Sequence, residues 1–329
     1  MRYLVSTHSR LLSLDLDENW QINDIKVIND GHHYGIALVP GNPLRIVTKH
    51  NTSDLTIYRL EDNKFIAEQK FFHINNDQIH QIAYGRNGIY IANTFYNSVT
   101  YQSFDGKTRH EYSFYGHNAD INHVNSVFPC GELILVLLHN RNQFSEIFIL
   151  QHDLHKGFWP KEVIRLAHTG CHNIFVDEKH IYYCASGDGR FVVVDRKKRR
   201  IAKELHFVGH TKGLSVTDDF IVFGVSDHAQ REARLTSRGR LVVLERRRFA
   251  IVTVVDLNGQ GNVGNVNEIR CLSAPELAHA GAFAVVAGLR SFAVGRGGGL
   301  WPRLARLWLE LDNRRRQRRV LKTGVAEGG

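Results

Sequence analysis

The chain has 329 residues, of which 43% are hydrophobic, and it carries a formal net charge of +9. Ten of its 42 Lys and Arg residues, but only three of its 33 Asp and Glu residues, lie in residues 281–329, so residues 1–280 carry only +2. A main body so close to neutral excludes nucleic-acid binding through a broad basic surface. No run of 18 apolar residues occurs, which excludes a transmembrane helix.

The N-terminal sequence and the cysteines indicate the cellular compartment of the protein. The opening residues, MRYLVSTHSRLL, lack the apolar core of a signal peptide and are typical of a β-strand. The four cysteines, Cys130, Cys171, Cys184 and Cys271, form no tight pairing motif. Small buried thiols in a reducing compartment explain this pattern, so we predict a cytoplasmic protein.

Short strands rich in Val, Ile, Tyr and Phe follow one another from the N-terminus, bounded by Gly, Asn or Asp. Residues 2–8, 11–17 and 22–27 form the first three predicted strands. A block of four strands then recurs with a period of roughly 45 residues, and no helix is predicted before Pro302. The block starts are YGIAL (34–38), HQIAY (80–84), HVNSV (123–127), HNIFV (172–176), KGLSV (212–216) and NEIRC (267–271).

This rhythm is typical of a β-propeller, in which packed four-stranded blades bury both faces of each sheet. The first three strands lack an inner partner, and a strand near 267–273 is left over to pair with them and close the ring. We therefore predict an all-β, six-bladed β-propeller over residues 1–280. The strand rhythm resembles that of the gluconolactonase-like and NHL-repeat groups over residues 1 to about 275. Lactonases of this kind commonly bind calcium through acidic and amide side chains, whereas the matching positions here favour imidazole.

Three histidines open the first strand in three consecutive blades: His80, His123 and His172. The first strand of a propeller blade lines the central channel, so we expect these imidazoles to converge near the axis. Three imidazoles are a common ligand set for a divalent transition metal and leave positions open for water or substrate. They predict a site for iron, zinc or manganese. The alternative is that they hydrogen-bond only the backbone and trapped water.

The other three blades open with Tyr34, Lys212 and Asn267, which are predicted to contact a substrate. A long loop in the sixth blade carries Arg231 and Arg234, whose planar guanidinium groups suit a carboxylate or phosphate. We expect both arginines, with Lys212, to hold an anionic substrate above the channel. The alternative is a solvated charged loop.

These positions support two functional hypotheses. In the first, the protein is a metal-dependent lyase, hydrolase or oxygenase that acts on a small polar or anionic substrate. His139, which ends a second strand on the same face, is then the candidate general base, because imidazole titrates near neutral pH. In the second, the protein is a non-catalytic propeller that binds a protein or another ligand.

Two segments resemble motifs that the context does not support. The sequence GQGNVG (259–264) has the spacing of a dinucleotide-binding turn, but a strand follows it where that motif requires a helix. We therefore expect no nucleotide cofactor. The basic run DRKKRRIAKE (195–204) falls on a predicted turn between strands and indicates a solvated hairpin.

The segment 281–329 differs in composition from the rest, being rich in Arg, Gly and Ala and free of His and Ile. We predict a C-terminal extension whose residues 301–321 are partly helical or disordered. Trp301, Leu304, Trp308 and Leu311 would share one face of such a helix, as in a basic amphipathic helix that binds a membrane surface or nucleic acid. The alternatives are a disordered or poorly matched extension without such a role, and a segment that is translated in a shifted reading frame.

Overall fold

The computed structural model describes residues 1–50, 54–73, 78–115, 120–230, 232–259, 261–273, 292–294, 307 and 311. These residues form six antiparallel sheets arranged as a ring. The predicted six-bladed β-propeller is therefore confirmed. Between the strands, the described part of the chain also contains two short 3-10 helices, Ser186–Asp188 and Glu232–Leu235.

The strands follow the blade order of the sequence. Blades one and two contain β1 (Arg2–Thr7), β2 (Arg10–Leu16), β3 (Ile22–Asp30), β4 (His33–Val39), β5 (Leu44–His50), β6 (Asp54–Glu61) and β7 (Lys64–His73). Blades three and four contain β8 (Ile79–Gly85), β9 (Gly88–Asn93), β10 (Ser98–Ser103), β11 (Arg109–Ser113), β12 (Val124–Cys130), β13 (Leu133–Leu138), β14 (Glu146–Asp153) and β15 (Gly157–Arg165). Blades five and six contain β16 (Cys171–Val176), β17 (His180–Ala185), β18 (Arg190–Asp195), β19 (Arg200–His206), β20 (His210–Val216), β21 (Phe220–Ser226), β22 (Gly239–Glu245) and β23 (Ala250–Asp256).

A late strand, β24 (Val266–Cys271), closes the ring. It pairs antiparallel with β1, placing Tyr3 opposite Cys271 and Val5 opposite Ile269, and becomes the inner strand of blade one. The predicted closure is confirmed. This pairing joins the two ends of the propeller, and it means that the inner edge of β1 is not left unpaired.

Burial follows position within each blade. The inner strands β12 and β16 are buried at every residue, whereas the outermost strand β23 is largely exposed. Aromatic side chains pack between neighbouring blades. Phe191 of blade five stacks on Phe223 of blade six, with ring centres 4.5 Å apart. Burial of both faces of each sheet explains why a second strand such as β13 is a continuous apolar run, whereas the buried inner strands also carry polar residues such as Asn125 and Asn173.

A β-bulge interrupts the register near the start of five inner strands. The shifts lie between His33 and Ile36, Ile79 and Ile82, Val124 and Ser126, His172 and Ile174, and Lys212 and Leu214. A bulge turns the side chain at the strand start relative to the rest of the strand. In each of these five blades, the side-chain direction therefore changes near the start of the inner strand. We call this end of the channel the histidine mouth.

Part of the C-terminal segment joins the propeller. The short strand β25 (Phe292–Ala293) pairs in parallel with the outer strand of blade four, and Val294 is buried against its core. Leu307 and Leu311 have helical backbone conformation. The predicted boundary at residue 280, Trp301, Leu304, Trp308 and the rest of 301–321 lie outside the described residues, so the extension stays a prediction.

All four cysteines are buried free thiols. Within the residues that the structure describes, no helix is long and apolar enough to cross a bilayer. The cytoplasmic location stays a prediction.

Candidate functional site

The six residues that open the repeat blocks meet at the histidine mouth. We call this set the axial rosette: Tyr34, His80, His123, His172, Lys212 and Asn267. The rings of Tyr34 and His80 lie 4.6 Å apart between centres, and those of His80 and His123 lie 4.8 Å apart. Lys212 Nζ lies 4.7 Å from the centre of the Tyr34 ring and 3.4 Å from Asn267 Oδ1. Residues distant in sequence are thus neighbours around one axis.

His139, at the end of the second strand of blade four, lies next to the rosette. Its ring centre lies 5.1 Å from those of both His123 and His172. His210, at the start of β20, extends the series, with its ring 5.8 Å from His172. The imidazoles contact one another edge to face, forming an arc around the mouth.

Hydrogen bonds fix the tautomers of His80 and His172. Thr94 Oγ1 donates to the Val124 carbonyl at 2.6 Å, so its oxygen accepts a hydrogen bond from His80 Nδ1 at 2.6 Å. Ser186 Oγ likewise donates to a main-chain carbonyl and accepts from His172 Nδ1 at 2.7 Å. Each hydroxyl has only one proton to donate. Both imidazoles therefore carry hydrogen on Nδ1 and a lone pair on Nε2.

His123 and His139 differ in whether Nδ1 donates or accepts a hydrogen bond. Both carboxylate oxygens of Asp120 lie 3.0 Å from His123 Nδ1, which is therefore a donor. The main-chain N–H of Arg141 donates to His139 Nδ1 at 3.1 Å. His139 therefore carries its hydrogen on Nε2. Nε2 of His139 is therefore a hydrogen-bond donor, whereas Nε2 of His80 and of His172 is an acceptor.

Burial keeps the imidazoles of His80, His139 and His172 neutral. It is the main cause that lowers the pKa of His139 to about 3 and holds the pKa values of His80 and His172 well below the ordinary 6.5, while the nearby Lys212 charge lowers all three further. A pKa near 3 with an occupied Nδ1 lone pair suits a hydrogen-bond donor better than the predicted general base. The role of His139 stays a prediction.

Two lysines are buried against the same ring. Lys212 is 8% exposed and Lys49 is 1% exposed, and Lys49 Nζ lies 5.3 Å from the centre of the Tyr34 ring. Burial, followed by the charge of Arg234, lowers the pKa of Lys212 from 10.5 to about 7. The mouth therefore holds an amine that titrates near neutral pH beside further positive charge.

Of the two predicted arginines, Arg234 lies on the loop between β21 and β22. Arg234 belongs to the 3-10 helix Glu232–Leu235, and its carbonyl accepts a hydrogen bond from Asn265 N at 2.9 Å. Its charge lowers the pKa values of Lys212 and His210, as expected for a guanidinium close to the mouth. Arg231 lies outside the described residues, so its contribution stays a prediction.

A buried carboxylate lies deeper in the channel. Glu268, which is 1% exposed, accepts hydrogen bonds from Gln81 Nε2 at 2.6 Å, Asn173 Nδ2 at 3.1 Å and Arg270 Nη1 at 2.6 Å. These groups come from blades one, three and five, so they tie the inner strands together below the rosette. Beyond them, a cavity of about 610 Å³ with mostly apolar walls opens towards the opposite end of the channel.

Sequence analysis did not single out Lys49 or this network. A signal was present for the network, because Gln81, Asn173 and Glu268 each follow a residue of the rosette directly. In a regular strand, successive side chains point to opposite faces, so the residue after each rosette residue would have been expected to point away from the axis. The bulges instead keep successive polar residues near the axis.

The predicted metal does not fit this arrangement. Among the described residues, no group of three His, Cys, Asp or Glu side chains is placed so that it could hold a metal ion. The rings of His80, His123 and His139 meet edge to face, at interplanar angles of 74° and 72°. Iron, zinc or manganese binding by His80, His123 and His172 stays a prediction, and no chemical step below depends on it.

No protein-family model matches the chain, and no curated protein matches it. Solved structures do resemble it. A structure described as a nidogen/laminin complex superimposes with a TM-score of 0.61 at 10% identity, covering 82% of this chain and 97% of that one. A Bacteroides caccae protein of unknown function gives a TM-score of 0.59 at 10% identity, covering 82% and 98%. The WD40 β-propeller domain of Doa1 gives 0.50 at 13% identity, covering 78% and 79%.

These similarities show the fold alone, because all the identities are low. The chain is a six-bladed β-propeller. The gluconolactonase-like or NHL-repeat resemblance stays a prediction.

Proposed function

We propose that the axial rosette binds a small anionic ligand. The observation that carries the proposal is the buried Lys212 amine, whose contacts are the Asn267 amide oxygen and the face of the Tyr34 ring. Burying an ammonium group is costly, and the nearby Glu268 carboxylate offsets only part of that cost, because burial and Arg234 still lower the pKa of Lys212. An anion at the mouth would offset that cost.

The surrounding charges favour an anion over a cation. Arg234 and Lys49 add positive charge near Lys212, whereas the buried carboxylate of Glu268 is engaged by Arg270. His80, His139 and His172 are neutral, so they add hydrogen-bonding groups without charge. His139 Nε2–H is a donor suited to a carboxylate or phosphate oxygen.

Anion binding should be coupled to proton uptake. A bound anion stabilises the charged form of Lys212 and so raises its pKa from about 7. At pH 7.5 about three quarters of the amines are neutral before binding, so binding takes up about 0.7 proton per anion. Uptake of this size distinguishes the rosette from a cluster of ordinary surface lysines, which are already charged.

Isothermal titration with oxalate and with inorganic phosphate tests this proposal. Repeating the titration at pH 7.5 in buffers of different ionisation enthalpy measures the proton uptake. We expect Lys212→Met and Arg234→Gln to weaken binding by about tenfold or more, which corresponds to ~1.4 kcal/mol. Lys198→Met is the matched control, because its side chain is 61% exposed on the turn between β18 and β19. Failure of both anions to bind would refute the proposal and favour a propeller that binds proteins.

The hypothesis of an enzyme is compatible with this site but is not required by it. The anion would be the substrate in that case, and the reaction type stays open. Neither the low imidazole pKa values nor the edge-to-face ring contacts favour one of the three predicted reaction types.

A further inference from the structure

The end of the channel opposite the histidine mouth contains a cavity that the anion site does not use. Its volume is about 610 Å³, within the range of roughly 300–1,000 Å³ that is common for small-molecule sites. Each of the six inner strands, or the residue directly after it, contributes an apolar side chain to the wall: Leu38, Ala83, Phe128, Phe175, Leu214 and Leu272. The cavity therefore lies on the axis of the ring and exists only in the closed propeller.

The cavity is reachable from solvent, but water gains little by filling it. Pro40 and Ser273, which line it, are exposed, whereas Phe128 and Phe175 on its wall are 7% and 8% exposed. A water molecule needs about two to four polar partners, and most of the wall is apolar. Replacing such water by an apolar molecule is favourable, because apolar surface of both the ligand and the wall is removed from water.

The amide side chains that line the cavity are already engaged by the protein. Gln81 Oε1 accepts a hydrogen bond from Val127 N at 2.8 Å. Asn173 Oδ1 accepts one from Gly213 N at 2.7 Å. Both amide nitrogens donate to Glu268 Oε2. These amides tie inner strands to one another, so a ligand is not needed to satisfy them.

The one charge on the wall is compensated. Among the described residues that line the cavity, Arg270 alone has a charged side chain. Its Nη1 group lies 2.6 Å from Glu268 Oε1 and also donates to the Leu214 carbonyl at 3.0 Å. A cation in the cavity would meet this guanidinium group, and an anion would have to compete for it with the Glu268 carboxylate. The charges therefore favour a ligand that has none.

We propose that this cavity binds a small, uncharged and largely apolar molecule, such as an aromatic compound. The ligand contacts side chains of all six blades at once, including the closing strand β24, so its binding stabilises the closed ring. This inference is independent of the anion site, because the two sites lie at opposite ends of the channel and select opposite properties. Binding of oxalate, or its failure to bind, bears only on the histidine mouth.

Two dyes with the same ring skeleton test the inference. N-phenyl-1-naphthylamine is uncharged, and 8-anilinonaphthalene-1-sulfonate differs from it by an added sulfonate group. Both fluoresce strongly only in apolar surroundings. We expect the uncharged dye to bind the full chain saturably and at least about tenfold more tightly than the sulfonate binds this cavity, because burying the added charge is costly. Absence of saturable binding of the uncharged dye would overturn the inference.

A matched pair of substitutions locates the bound dye. Ala83, on the wall of the cavity, is partly buried, and Ala250, at the start of β23, is exposed. Ala83→Phe fills part of the cavity and should weaken binding of the uncharged dye by at least about tenfold, whereas Ala250→Phe should leave it unchanged. Equal affinities of the two variants would refute binding in the cavity. If the sulfonate bound as tightly as the uncharged dye and lost its affinity equally in Ala83→Phe, the proposed ligand class would be wrong.

Photolabelling of the wild-type protein keeps the inference testable even if Ala83→Phe folds poorly. Benzophenone is also uncharged, and under ultraviolet light it reacts with nearby C–H bonds. Peptide mass spectrometry then identifies the labelled peptides. We expect labels in the peptides that contain Leu38, Phe128 and Phe175, and we expect the uncharged dye to suppress them. Labels confined to other peptides, such as those of the exposed outer strand β23, would contradict the inference.

Discussion

The amine of Lys212 lies over the ring of Tyr34, 4.7 Å from its centre. The two residues belong to blades six and two, which flank the blade that closes the ring. Asn267, which accepts a hydrogen bond from Lys212, lies between them on the closing strand β24. The candidate site is therefore assembled at the junction of the two ends of the propeller and exists only when the ring is closed.

The pKa of Lys212 makes stability depend on alkaline pH. Between pH 7 and 10.5 the unfolded chain holds a proton on this amine that the folded chain lacks, so the free energy of unfolding rises with pH. From pH 7 to pH 9 we expect a rise of about 2 kcal/mol that the Lys212→Met variant lacks. Urea unfolding of both proteins at the two pH values measures the difference. Parallel pH profiles would contradict the lowered pKa.

The groups facing Lys212 also titrate or carry charge, so only the difference between the two proteins is informative. They are His8, His80, His139, His172, His210, Arg234, Glu268 and Cys184. Lys198→Met again serves as the control, because its exposed amine should leave the profile unchanged.

Buried imidazoles make the protein sensitive to acid. The pKa of His172 lies well below 6.5 in the folded chain, so below pH 6.5 the unfolded chain binds a proton that the folded chain excludes. Stability is lost as pH falls through that value, by about 1.4 kcal/mol per such histidine at pH 5.5. The loss between pH 7.5 and 5.5 should therefore be smaller by that amount in His172→Gln than in the wild type. His155→Gln, at an exposed position, should show the wild-type loss.

Glu268 and Arg270 form the charged pair of the network below the rosette. Their side chains are 1% and 13% exposed, and Arg270 Nη1 lies 2.6 Å from Glu268 Oε1. Removing one charge leaves the other buried without compensation, so Glu268→Gln should lower the free energy of unfolding by about 3 kcal/mol. The double variant with Arg270→Met should recover part of that loss. A double-mutant cycle by urea unfolding measures the coupling, and additive losses would mean that the pair is not coupled.

The metal content of the protein distinguishes a histidine metal site from histidines that only form hydrogen bonds. Since the described side chains provide no three-ligand group, we expect chelator to leave the thermal midpoint unchanged and purified, untagged protein to hold little iron, zinc or manganese. Elemental analysis and thermal unfolding with and without chelator measure this. Near-stoichiometric metal that disappears in a variant with alanine at positions 80, 123 and 172 would restore the predicted metal site.

The sequence alone determined which residues meet. Short apolar strands with a regular block length allow only a limited set of closed arrangements, because each sheet must bury both faces. Once the blocks were aligned, His80, His123, His172, Lys212 and Tyr34 had to face one end of the channel. The surplus strand 267–271 likewise had to pair with the N-terminal strands, since no other inner strand was left for them.

Only the tertiary structure decided what these residues can do. The tautomer of His139 depends on a main-chain N–H at Arg141, and the low pKa of Lys212 depends on burial and on Arg234. The Glu268 network includes Gln81 and Asn173, which lie at bulges that interrupt the side-chain alternation expected along a strand. The repeats in the sequence show which positions are equivalent. They do not show the hydrogen-bond partners, the burial or the charge around a given side chain, because these depend on contacts between different blades.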